Sequence, residues 1–390
     1  GQAFSLLGSS LVQFALVWWL TSTTGSATVL ATSTLMALLP QVLLSPFAGA
    51  LVDRWDRRWI MVLADASIAL ATGGLVYLFA TGQAQVWHVY AALLIRSMGG
   101  AFHSPAMSAS TALMVPSQHL TRVAGANQTM QGLLSIFAPP LGALLISVLP
   151  MQGVLAIDIG TALLAVLPLL FITNPKPPRQ ETPEKVIKTS YWQDFRAGFR
   201  YLSHAPGLLG ITLLAMSLNF LLAPAGSFMP LVVTKVFEKG VTELAWVEMG
   251  FGVGTIAAGI ALGAWGGFKR KIVTSLIGVL GIGLSVLMVG IVPANLFWLI
   301  IAAYVLVGIA SVFANGPLSA IFQSAVAPDI QGRVHSLIGA GATAMMPLSL
   351  LIAGPISDWL GVRAWYLFGG VVCILITIAA FSIPAIMNVE

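Results

Sequence analysis

Residues 1–52 read GQAFSLLGSSLVQFALVWWLTSTTGSATVLATSTLMALLPQVLLSPFAGALV, and none of them is Asp, Glu, Lys or Arg. A single helix of that length would far overrun a bilayer, whose hydrocarbon core takes about 20 residues per crossing. The run must therefore fold back on itself. Its turn is visible at residues 21–26, TSTTGS. A second uncharged run, Ile272 to Pro328, behaves the same way and breaks at residues 292–295, VPAN.

The same logic extends along all 390 residues, of which only 8% are charged. Soluble chains carry about 25%. Twelve spans follow, near residues 1–20, 28–52, 59–80, 87–114, 121–149, 153–172, 207–234, 243–265, 271–292, 295–325, 333–359 and 364–387. The expected fold is all-α and integral to the membrane, with twelve transmembrane helices in two pseudo-symmetric six-helix bundles. The first bundle covers 1–172, a cytoplasmic linker 173–206, and the second bundle 207–390. The chain starts at Gly1 rather than Met, so a truncated N-terminus is expected. Cys373 is the one cysteine, which excludes an intrachain disulfide; metal-ligand spacing is missing as well. The sequence also lacks G-x-S-x-G, H-E-x-x-H and a P-loop, which argues against a membrane enzyme.

Charge sets the expected orientation. With both termini inside, the inner loops hold Arg54, Arg57, Arg58, Arg122, Arg333 and the basic residues of the linker and of Lys269–Lys271. The outer loops hold only Lys235, Lys239 and Arg363. The positive-inside rule favours this arrangement. The net charge of +5 thus reflects topology, and no nucleic-acid partner is expected. Within the linker, residues 191–202, YWQDFRAGFRYL, are amphipathic and read either as a helix on the inner leaflet or as plain linker. The halves also echo one another. Phe102 and Phe313 are 211 residues apart, as are Arg122 and Arg333; Pro105 and Pro317 are 212 apart, as are Pro116 and Pro328. Internal repeats of this kind are frequent in secondary transporters.

Residues 49–58, GALVDRWDRR, resemble the signature loop G-x-x-x-D-R-x-G-R-R of the major facilitator superfamily, with Asp56 in a glycine position. The resemblance implies a cytoplasmic gate built on Gly49, Asp53, Arg54, Arg57 and Arg58. The second-half echo has Gly263 and Lys269–Lys271 but Gly267 in the acidic position, so the charge lock is expected on one side only. Residues 354–363, GPISDWLGVR, keep the Gly/Asp/Gly/Arg spacing, and Gly354 and Asp358 are expected at the outer gate. Arg96 and its followers, RSMGGA, resemble a second family motif, which assigns Arg96 to proton coupling. Gly125, Pro139 and Gly142 match an exporter-associated motif, while Leu134, Ala138 and Ala143 replace its glycines. Residues 8–21 and 24–27 look like the macrolide-efflux branch.

An arginine inside hydrocarbon needs an acidic partner. Asp158, at similar depth, is the first choice and Asp65 the second; His103 shares a helix face with Arg96. Polar, aromatic and Met residues within spans mark the expected substrate lining: Gln13, Gln41, Asn127, Gln131, Asn219, Phe220, Phe313, Asn315, Gln323, Met345 and Met346. The resemblance implies a proton-coupled drug antiporter of the bacterial inner membrane, exporting amphiphilic molecules. It needs no cofactor beyond the proton gradient, partners with lipid, substrate and protons, and is expected to be a monomer. The alternative is an importer or facilitator of a sugar or metabolite.

Overall fold

The structure is a computed structural model that describes residues 2–52, 55–171, 191–327 and 330–389. These residues are helical almost throughout. The chain divides into two compact units, Gly1–Arg179 with Val233–Met249, and Gln180–Val232 with Gly250–Glu390.

The first unit is built from α1 (Gln2–Thr24), α2 (Ala27–Val52), α3 (Arg57–Ala80), α4 (Val86–Met114), α5 (Leu120–Val148) and α6 (Met151–Phe171). Then follow α7 (Tyr191–His204), α8 (Pro206–Ser227), the single turn α9 (Met229–Leu231), α10 (Val241–Trp265), α11 (Lys271–Ile291), α12 (Trp298–Ala325), α13 (Gln331–Leu360), α14 (Val362–Phe381) and the short α15 (Pro384–Met387). Twelve of these described helices reach 20 residues, and ten are long and apolar enough to cross a membrane over their described length. Of the other two, α4 carries Arg96, His88 and His103, and α6 qualifies only as the shorter apolar stretch Met151–Leu167. The expected boundaries stand within a few residues. Two spans end earlier than read: the seventh at Ser227, before a π-helical turn over Val232–Val236, and the twelfth at Phe381.

Each unit packs its helices in the same pattern. In the first, α1 lies on α5 and α6, α3 on α4 and α6, and α2 on α4. In the second, α8 lies on α13 and α14, and α11 on α12 and α14. The matching α10–α12 contact is a close backbone approach: a Cβ on Gly308 would strike the Phe251 carbonyl, and one on Gly254 the Val305 carbonyl. The 211-residue echo in sequence is therefore an echo in packing. Arg122 and Arg333 each occupy the third position of their helix, α5 and α13.

Lipid exposure is written on the surface. Leu70 and Ile260 are 76% and 70% exposed, a cost in water that hydrocarbon removes. Among the described residues, six exposed tryptophans, 55, 59, 87, 265, 298 and 359, all sit within three residues of a helix end, where an interfacial belt would place them. The linker stretch is helical, as α7, and the later part of it packs within the second unit. Gly198 packs on the Arg333 carbonyl, Leu202 is buried, and the Tyr201 hydroxyl donates to the Ala325 carbonyl at 3.3 Å.

Replacing Gly308 by Ala forces α10 and α12 apart, at about 1–3 kcal/mol for such overpacking. Gly259→Ala, whose added carbon meets nothing within 4 Å, serves as the control. Thermal unfolding in detergent should drop for the first and not for the second.

Candidate functional site

Hydroxyl side chains within these helices mostly bond back to their own backbone. Thr21 donates to Val17, Thr212 to Leu208 and Thr377 to Cys373. That satisfies each polar group locally, where no water is at hand. One cluster in the first unit departs from the habit, because its groups reach across helices.

Asp158 of α6 is only 2% exposed. Its Oδ2 accepts from Arg96 Nη1 of α4 at 2.5 Å. The same Nη1 lies 2.7 Å from Thr72 Oγ1 of α3, which in turn can donate to Asp158 Oδ2 at 3.2 Å or to the Ile68 carbonyl at 3.0 Å. Ser9 Oγ of α1 donates to Asp158 Oδ1 at 3.3 Å. Four helices thus converge on one carboxylate. Gly8 makes room for the approach of α1: a Cβ there would strike the Thr161 hydroxyl and stand 3.1 Å from Asp158 Oδ1. Charge pairing and two hydroxyls make burial of both ions tolerable.

A second pair lies along the same α3–α4 seam. These helices run antiparallel: Arg57 Nη1 meets the Ala109 carbonyl at 3.3 Å, Asp65 meets His103, and Thr72 meets Arg96. Asp65 Oδ1 and His103 Nε2 are 3.5 Å apart. Neither Asp65 Oδ2 nor His103 Nε2 has a hydrogen-bond partner, although both are buried. Seven residues, two turns, separate Asp65 from Thr72 and Arg96 from His103, so the two pairs sit about 10 Å apart along the seam.

The other expected residues are less gathered. Asp53 and Arg54 lie outside the described residues, and Gly49 lies within α2. Asp56 caps α3 by accepting from the Arg58 amide at 2.9 Å, and Arg58 lies over the Trp59 ring. Gly354 is buried and Asp358 exposed near the end of α13. Arg363 donates to the Val292 carbonyl, tying the start of α14 to the end of α11. Of the expected lining, Asn219, Asn315 and Met346 meet at one cavity of the second unit, between α8, α11, α12 and α13. Gln13, Gln41, Asn127 and Gln131 are exposed. Phe220 packs toward Trp365, and Phe313 edge-on to Trp265, while Met345 is half-buried. The reading from residues missed Thr72 and Ser9. The two-turn spacing of Thr72 from Asp65 on α3 is the signal that could have found it.

The family profile described as Major Facilitator Superfamily matches residues 1–346. Macrolide efflux protein A of Streptococcus pyogenes is 32% identical over 392 residues, covering 100% of this chain and 96% of that protein. The multidrug efflux pump Tap of Mycolicibacterium fortuitum is 24% identical over 400 residues, covering 98% and 94%. Among solved structures, a mutant of the nucleoside transporter NupG superposes with a TM-score of 0.74 at 13% identity, covering 98% and 99%. A POT family transporter does so at 0.71 and 13%, covering 97% and 94%.

Asp158→Asn strands a buried arginine, at about 3–5 kcal/mol. Removing both charges, with Arg96→Met and Asp158→Leu together, should cost less than the single change. Thermal unfolding of the three proteins in detergent decides this; equal losses would mean that the ions are not energetically paired.

Proposed function

The chain belongs to the major facilitator superfamily, and from that premise we propose that it is a proton-coupled exporter of amphiphilic, macrolide-like small molecules. It is a transporter rather than an enzyme. It works by alternating access in the bacterial inner membrane, with both termini in the cytoplasm.

The observation that carries the coupling is the Arg96–Asp158 pair. A proton taken up on Asp158 makes a neutral acid and frees Arg96 from its counter-ion. The cation then has to find another acceptor or water, and the four-helix junction cannot stay as it is. Losing the proton restores the pair. Each protonation state thus favours its own packing, which is what coupling a proton to a conformational change requires. Asp65, two turns away, is the second carboxyl placed to take part, and Arg57 and Arg58 belong to the gate end of the same seam. The names of the related efflux proteins support the outward direction and the drug-like substrate.

An acid-inside pH gradient imposed on inside-out vesicles should drive accumulation of a macrolide, and a protonophore should collapse it. Asp158→Asn should abolish this accumulation yet keep some exchange of labelled for unlabelled substrate without a gradient. Full gradient-driven accumulation by that variant would remove Asp158 from coupling.

A further inference from the structure

The cavity in the second unit holds about 320 Å³ and is walled mostly by aliphatic side chains of α8, α11 and α12. No Asp, Glu, Lys, Arg or His is among the residues that line it. Four polar side chains are: Asn219, Ser275, Ser311 and Asn315. Ser275 is committed, its hydroxyl donating to the Ala314 carbonyl at 2.5 Å.

The two amides are held in the same way. Asn219 Nδ2 donates to the Ala215 carbonyl and Asn315 Nδ2 to the Ser311 carbonyl, each at 2.9 Å and one helical turn back. A carbonyl acceptor requires the NH2 end of the amide, so this contact fixes which atom is which. It also leaves each Oδ1 as an acceptor, one on α8 and one on α12. An apolar box with two anchored acceptors and no charge selects against ions, which would enter it without a counter-charge. It suits apolar groups that bring their own O–H or N–H donors. The volume is at the lower end for ligand sites, enough for part of a large molecule.

We propose that this cavity seats the uncharged, hydroxyl-bearing apolar part of the exported molecule, with the Asn219 and Asn315 carbonyl oxygens accepting its hydroxyls. The proposal rests on the efflux reading and names which portion of the substrate the second unit holds. Charged groups of the same molecule stay outside the cavity.

The single cysteine, buried Cys373, makes the test clean. In a Cys373→Ser background, Ser311→Cys puts one thiol on the cavity wall. Its alkylation by N-ethylmaleimide in membranes is followed with and without erythromycin, a hydroxyl-rich macrolide. Saturating erythromycin should slow alkylation at least about fivefold. Adding Asn219→Ala and Asn315→Ala should raise the concentration for half-protection about tenfold, the scale of two lost hydrogen bonds. The rate without ligand reports whether the cavity survives the substitutions. No protection, or half-protection unchanged by the amide substitutions, overturns the proposal. Protection is read without transport: a chain protected but unable to export overturns the efflux reading alone, and one that exports without protection overturns this one alone.

Discussion

A polar group inside a bilayer has no water to turn to, and this constraint orders most of the molecule. It makes the backbone helical nearly throughout the described residues and sends most threonine and serine hydroxyls back to carbonyls of their own helix. Against that background the Arg96–Thr72–Asp158–Ser9 cluster stands apart. Its members satisfy one another between helices, so one ion pair ties α1, α3, α4 and α6 together.

The two units share a packing pattern but not its chemistry. By the 211-residue offset, Thr72 corresponds to Gly283 and Arg96 to Val307. Where the first unit sets Thr72 of α3 against an ion pair of α4 and α6, the second closes α11 onto α14 with glycines: Gly283 faces Cys373 and Ile374, Gly290 faces Leu367, and Gly370 faces Leu287. The Arg96–Asp158 ion pair sits in the first unit, and a cavity lined by no charged residue in the second. Duplicated scaffolds allow such a division, because each copy can keep the helix contacts while changing the side chains within them.

Much of this was legible in sequence. Uncharged runs longer than a bilayer fixed the spans, and depth along the helix pointed from Arg96 to Asp158. Both signals are one-dimensional and survive without a structure. Thr72 and Ser9 were hidden because a hydroxyl that bridges ions looks, in sequence, like one that bonds to its own helix. The lining was harder still. Asn219 and Asn315 meet at a cavity of the second unit, and a void is a property of how helices pack, with no residue pattern of its own. The gate loop was recognised from a motif, and its Asp53 and Arg54 lie outside the described residues.

The docking of α7 has a practical bearing on anyone who would take the molecule apart. Because Gly198, Tyr201 and Leu202 are seated against the second unit, the connecting segment is not neutral ground. A split made after His204 would leave the second fragment with a bare apolar patch where α7 had been, and would give the first fragment a greasy tail. Divided ahead of Tyr191 instead, the second fragment keeps its own cover, which is where a two-piece expression system, or an inserted fluorescent reporter, should place its joint.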